Sequence, residues 1–180
     1  MKKLFSIFFF SMFSIIAFTQ TKWAVQSSEI TFKIKNAGFK VDGSFKDLSA
    51  QIVFEPSNLV SSNIIASIET KTIHTGSGMR DNHLRKEEYF GVEKFPKITM
   101  KSVKFISKTK NNYVGTFQLS IKSTTKTIEV PFDFTQDVNA GVFNGNFTIN
   151  RLDYDVGGNS WTMSDNVTIN LLIKVTKSIK

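Results

Sequence analysis

Apolar and polar residues alternate along most of this chain. In the segment 167–176, Val, Ile or Leu occupies every second position, and mostly polar residues lie between them. This two-residue period is typical of a β-strand with one buried face. The same pattern recurs at 29–35, 41–45, 48–54, 64–70, 98–106, 113–121, 127–135 and 142–150. About eight to ten strands joined by short polar turns are therefore predicted.

The connections between these segments are too short for a parallel sheet. Parallel neighbours need long crossovers, which are usually helical, and only one segment after the N-terminus indicates a helix. We therefore expect an antiparallel sheet, arranged as a barrel or a sandwich. Glycines inside the strand patterns, Gly43, Gly115 and Gly145, suggest bulges or tight bends and favour a barrel.

The segment 73–102 interrupts the alternation. Seven of the nine residues from 80 to 88 are ionisable, and Pro96 disfavours helical geometry in the residue before it. We expect a turn containing Gly76 and Gly78, a helix of about two or three turns, a loop and then a new strand.

The charged cluster in this segment has three interpretations. In the first, Arg80 and Asp81 hold the helix against a barrel end through charge-assisted hydrogen bonds, while Leu84 and Phe90 close that end. In the second, Arg80, His83 or Arg85 reaches a polar or phosphorylated head group at the mouth of a cavity. The third is catalysis, for which the sequence offers no identifiable nucleophile.

The first 19 residues have the pattern of a secretory signal peptide. Lys2 and Lys3 precede an apolar run from Leu4 to Phe18, and Ala17-Phe18-Thr19 offers small residues at the right separation for cleavage before Gln20. A membrane-spanning helix needs roughly 20 apolar residues, which is more than this run offers. We expect one exported domain at 20–180, located in the periplasm or secreted.

Composition narrows the chemistry that is expected. The chain has no cysteine, so disulfides, thiol catalysis and Cys-ligated metals are excluded. His74 and His83 do not have metal-ligand spacing, and no phosphate-binding loop is present, so neither a metal nor a dedicated cofactor is expected. The formal net charge is +8 with lysines spread along the chain. In an exported protein this favours solubility or attraction to anionic head groups over nucleic-acid binding.

Phenylalanine is unusually frequent. The chain has 18 Phe, and many lie on the apolar faces of predicted strands. One interpretation is a core filled by Phe side chains. The other is an aromatic tunnel around an apolar ligand, because barrels of about eight strands can enclose one small ligand.

Four groups of motifs in order resemble the YceI family of exported, lipocalin-like proteins. The first comprises Ile30-x-Phe32-x-Ile34, Val41-x-Gly43-x-Phe45 and Ile52-x-Phe54. The second comprises Ile73-x-Thr75-Gly76, Arg80-Asp81-x-His83-Leu84-Arg85, Tyr89-Phe90-x-Val92-x-Lys94-Phe95-Pro96-x-Ile98 and Ser102. The others comprise Gly115-x-Phe117-x-Leu119-Ser120-Ile121, Thr125-Lys126, Val130-Pro131-Phe132 and Asn150-Arg151-x-Asp153-Tyr154. Met100 and Ser123 depart from the family pattern, which usually has Phe and Gly there.

The resemblance implies an eight-stranded antiparallel lipocalin-like barrel with one short helix. Some members of this family hold a polyisoprenoid chain or an isoprenoid quinone, and members are often linked to stress responses. We therefore expect a non-enzymatic carrier or store for such a lipid. The expected ligand-binding residues are Phe32, Phe45, Phe54, Phe117, Leu119, Phe132, Phe147, Ile169, Leu171, Arg80, His83 and Arg85.

A second hypothesis is an empty structural barrel in the cell envelope. Its end around residues 80–90 would dock another envelope protein, in connection with a stress response. In either case we expect a monomer or a homodimer that binds no nucleic acid.

Overall fold

The alternating segments form nine strands, each antiparallel to its neighbours. A computed structural model describes residues 20–178; the expected signal peptide at 1–19 lies outside the described residues. The strands are β1 (Lys22–Asn36), β2 (Phe39–Phe45), β3 (Ser49–Val53), β4 (Asn63–Glu69), β5 (Lys97–Thr109), β6 (Asn112–Ile121), β7 (Thr124–Gln136), β8 (Ala140–Asn150) and β9 (Asn166–Lys177).

The sheet closes into a barrel because β1 is paired on both edges. One edge of β1 pairs with β9 over residues 23–33. The other edge pairs with β3 at 22–23 and with β2 at 30–36. Strands β2 and β3 therefore share one position in the barrel, which gives the eight-stranded antiparallel closed barrel that was predicted.

Gly43 lies in a regular part of the β1–β2 ladder, where a bulge or tight bend was suggested. The register runs without interruption from Ile30 opposite Phe45 to Asn36 opposite Phe39. A Cβ atom at Gly43 would lie 2.2 Å from the Phe32 ring. The glycine therefore makes room for an aromatic ring that lies across the neighbouring strand.

One α-helix, α1 (Gly78–Leu84), occurs among residues 20–178. It has about two turns, in agreement with the expected helix of two or three turns. Ser77 is the N-cap residue, and its hydroxyl accepts the backbone N–H of Arg80 at 3.5 Å. In the part of the chain that is described, no helix has the length and apolar character needed to span a membrane.

Aromatic side chains fill one end of the barrel. Phe54 is fully buried, and its ring centroid lies 5.0–5.7 Å from those of five other rings, mostly edge to face. We call this cluster the aromatic plug; it comprises Trp23, Phe54, Phe105, Tyr113, Phe132, Phe134 and Phe143. The plug closes the end of the barrel at which β1 begins and β9 ends.

Candidate ligand-binding cavity

The other half of the barrel encloses a cavity of about 280 Å³ with an almost entirely apolar lining. Two residues of the aromatic plug, Phe132 and Phe143, contribute to its floor. Its mouth lies at the end of the barrel occupied by the β1–β2 hairpin, α1 and the loop 155–165. Leu84, Tyr89 and Phe90, from α1 and the segment after it, also line the cavity. The cavity is close to the lower end of the roughly 300–1,000 Å³ range of small-molecule pockets.

Most residues that were predicted to bind a ligand line this cavity. Strand alternation brings the apolar ones to the inner face, and α1 brings one charged residue to the mouth. The predicted residues in the lining are Phe32, Phe45, Phe117, Leu119, Phe132, Phe147, Ile169, Leu171 and Arg80. Their contact with a ligand stays a prediction.

Three predicted residues lie elsewhere. Phe54 is at the centre of the aromatic plug, on the inner face but too far along the barrel to reach the cavity. His83 faces a more open pocket beside the mouth, where its Nε2 lies 3.0 Å from a Glu88 carboxylate oxygen. Arg85 donates to the backbone carbonyls of Lys71 and Ile73 at 3.0 and 3.1 Å. Arg85 thereby ties the end of α1 to the chain that precedes it.

Asp81 anchors α1 against the barrel. Its side chain is buried, and Oδ1 accepts the Thr75 backbone N–H at 2.8 Å and the Thr75 hydroxyl at 2.5 Å. His74 Nδ1 lies 3.2 Å from Oδ2. Burial alone raises the pKa of the Asp81 carboxyl, but the hydrogen bonds from Thr75 and His74 outweigh it and hold this pKa below its usual value.

Arg80 is oriented by the same threonine. Its Nε donates to the Thr75 hydroxyl at 2.8 Å, and its Nη2 donates to the Thr75 carbonyl at 2.6 Å. Within residues 20–178, Nη1 has no hydrogen-bond partner and no carboxylate lies within 4 Å of the guanidinium. Arg80 thus both fixes the helix and places a half-buried positive charge at the mouth of an apolar cavity.

The described residues do not bring together a metal site. No group of three or more His, Cys, Asp or Glu side chains in 20–178 is arranged to hold a metal ion. The two histidines lie beside different carboxylates, Asp81 and Glu88. No serine or threonine hydroxyl in the same range is hydrogen-bonded to either histidine. Of the polar residues predicted to bind a ligand, Arg80 lines the cavity and His83 lines the adjoining pocket.

Comparison with known proteins identifies the family. The YceI-like domain model matches residues 22–175. This chain belongs to the YceI-like family. A UPF0312 protein of Yersinia enterocolitica is 28% identical over 147 residues, which cover 81% of this chain and 73% of that protein. A UPF0312 protein of Photorhabdus laumondii is 30% identical over 104 residues, which cover 57% of this chain and only about half (54%) of that protein.

Solved structures share the barrel of this YceI-like chain. BcnA of Burkholderia cenocepacia superposes with a TM-score of 0.78 at 24% identity, covering 82% of this chain and 95% of BcnA. The Campylobacter jejuni YceI protein superposes with a TM-score of 0.70 at 25% identity, covering 77% of this chain and 86% of that protein. A polyisoprenoid-binding domain from Saccharophagus degradans superposes with a TM-score of 0.70 at 12% identity, covering 88% of this chain and 99% of that domain. The first and third likenesses show the fold alone.

Some residues around the cavity of the YceI-like barrel were not predicted from the sequence. Met163 lines the mouth from the loop 155–165. Arg151 is buried and donates to the carbonyls of Ser164, Val156 and Gly158 at 2.9–3.0 Å, and so holds that loop in place. Arg151 lay in a recognised motif, but a motif does not indicate which carbonyls an arginine binds. The position of Met163 has no signal in the sequence.

Proposed function

We propose that this YceI-like protein carries or stores an isoprenoid-type lipid, a polyprenyl chain or an isoprenoid quinone, inside its barrel. The observation that carries the proposal is the apolar cavity, closed at one end by the aromatic plug and open at the other. Burial of each CH₂ group is worth about 0.8 kcal/mol, so a hydrocarbon chain can bind without many polar contacts. A domain from Saccharophagus degradans with the same fold is described as polyisoprenoid-binding, and the proposal extends that ligand class to this barrel.

The proposed role is binding without catalysis. Within residues 20–178, neither histidine is hydrogen-bonded to a serine or threonine hydroxyl that could act as a nucleophile. Residues 1–19 favour export, so the proposed location is the periplasm or the extracellular space.

The head group of the lipid is proposed to lie beside Arg80. This guanidinium lines the cavity and has an Nη1 without a hydrogen-bond partner among residues 20–178, whereas the other lining arginine, Arg151, is buried and bonded to backbone carbonyls. His83 lies in the adjoining pocket. An Arg80→Met variant should lose preference for a polyprenyl phosphate over the corresponding polyprenol, because a cation binds a phosphate more strongly than a hydroxyl. An unchanged preference in a folded variant would place the head group elsewhere.

The ligand can be identified by native mass spectrometry of the protein purified from its own host. We expect a discrete added mass that denaturation releases as a polyprenyl or quinone species. A ligand-free mass that stays unchanged after incubation with such lipids would contradict the carrier proposal. It would favour the alternative, a structural or partner-binding barrel.

A pair of matched variants tests the cavity itself. Ala66 lines the cavity, whereas its neighbour Ile65 is exposed on the outer face of β4. Ala66→Phe should fill part of the cavity and reduce lipid uptake at least tenfold, while Ile65→Phe should leave uptake unchanged. Equal uptake by two folded variants would show that the lipid does not occupy this cavity.

A further inference from the structure

Three large apolar side chains are exposed on the segments around the cavity mouth. Phe39 is 76% exposed, Met79 is 86% exposed and Trp161 is fully exposed. They come from the β1–β2 hairpin, from α1 and from the loop 155–165. We call these three residues the apolar rim. Side chains of this size that face water on three adjoining segments indicate a surface that contacts something apolar.

Direct contacts join the hairpin to the loop, and the helix lines the same pocket beside them. Ala37 N–H donates to the Thr162 carbonyl at 2.8 Å, and Asn36 forms a β-bridge with Met163. Asn36 and Met163 line the same open pocket as Met79. The hairpin, the loop and the helix therefore surround one opening.

Phe39 continues the inner face of the barrel beyond the cavity. Inner positions on β2 follow one another from Phe45 through Gly43 to Val41, and both Phe45 and Val41 line the cavity. Phe39 is the next position on that face. An apolar surface therefore runs from the cavity interior to the outside of the mouth.

The same hairpin carries an unbalanced positive charge. Lys35 and Lys40 lie directly opposite each other on β1 and β2, whereas the neighbouring cross-strand pair is Lys33 with Asp42, at 3.9 Å. Within the described residues, neither Lys35 nor Lys40 has a carboxylate within 4 Å. Like charges at opposed positions are destabilising, and an anionic partner at this hairpin would relieve that repulsion.

We propose that the apolar rim inserts into the surface of an anionic phospholipid bilayer, with Lys35 and Lys40 against the lipid phosphates. This inference rests on the proposed lipid cargo, because docking would bring the mouth against the membrane and let the cargo transfer without crossing water. Each rim side chain projects from its own segment, which suits insertion between lipids. Trp is also favoured at membrane interfaces, and a basic segment is attracted to anionic lipids.

Vesicle binding tests the docking surface. The wild-type chain should co-sediment with vesicles of phosphatidylglycerol and phosphatidylcholine. A Phe39→Ser/Met79→Ser/Trp161→Ser variant should lose at least tenfold in partition coefficient. The matched control is Val60→Ser/Val138→Ser, which removes two exposed apolar residues from the opposite end of the barrel. Equal binding by the rim variant and the control would overturn the proposal.

Tryptophan fluorescence adds a readout of depth. The chain has two Trp residues: Trp161 is in the rim, and Trp23 is buried in the aromatic plug. Lipids brominated on their acyl chains should quench Trp161 and leave Trp23, measured in a Trp161→Phe variant, unaffected. Quenching of neither residue by bound vesicles would contradict insertion. A Lys35→Gln/Lys40→Gln variant should lose most of the dependence on phosphatidylglycerol.

Transfer kinetics separate this inference from the carrier proposal. The rim variant should load lipid from detergent as the wild type does, but should deliver it to acceptor vesicles at least tenfold more slowly. In the wild type the transfer rate should rise with vesicle concentration; a rate independent of vesicles would overturn docking. Normal vesicle binding without lipid loading would instead contradict the carrier proposal. The alternative outcome is a wild type that forms a dimer and fails to bind vesicles. If the rim variant is then a monomer, the rim is a contact between two copies of the chain and the docking proposal is wrong.

Discussion

Truncation of two phenylalanines should separate the aromatic plug from the cavity. Phe54 is fully buried and contacts five aromatic rings. Phe54→Ala leaves a cavity among side chains that cannot collapse freely, and such truncations cost about 3–5 kcal/mol. Phe45 is only half-buried because its ring faces the cavity, so Phe45→Ala should cost about 1–2 kcal/mol.

The variant that loses more stability, Phe54→Ala, should be the one that binds lipid better. Urea unfolding of the ligand-free protein measures the loss of stability. For a domain of this size, the thermal midpoint of Phe54→Ala should fall by about 6–20 °C. Lipid uptake, measured where each variant is folded, should be retained by Phe54→Ala and reduced by Phe45→Ala. The assignment of plug and cavity fails if Phe45→Ala loses as much stability as Phe54→Ala, or if folded Phe54→Ala takes up no lipid.

Three further substitutions test individual contacts. Gly43→Ala should lose about 1–3 kcal/mol in urea unfolding, since its methyl group would overlap the Phe32 ring; a neutral effect would show that the ring moves freely. The pKa of Asp81 is lowered in the folded state, so the ionised Asp81 carboxylate stabilises the folded protein. This contribution to stability is present above about pH 4 and is lost as the pH falls through the folded-state pKa. Asp81→Asn should therefore lose on the order of 2 kcal/mol at neutral pH and show a shallower decline in acid; parallel pH profiles would contradict this. The Tyr154 hydroxyl is buried without a partner among the described residues, and burial raises its pKa to about 12. Tyr154→Phe should be neutral or stabilising, and a clear loss of thermal midpoint would reveal a bonded hydroxyl.

The strands were predictable because their signal is local. Each inner face repeats at every second residue, so β9 could be placed from its own alternation, and α1 from the loss of that alternation and from its charges. The alternation and the interior glycines already predicted eight to ten strands and favoured a barrel. The resemblance to YceI proteins narrowed this to an eight-stranded closed barrel.

The sequence by itself determined an antiparallel β-fold with Phe-rich inner faces and a charged helix at one end. Only the tertiary structure decided which inner residues line the cavity and which form the aromatic plug. Phe45 ends β2 and Phe54 directly follows β3, and the two look alike in sequence, yet Phe45 lines the cavity and Phe54 is the centre of the plug. The difference is their level along the barrel axis, which depends on the stagger of all the strands together. Arg85 is a similar case, because the carbonyls that it binds come together only when the chain before α1 folds back along the helix.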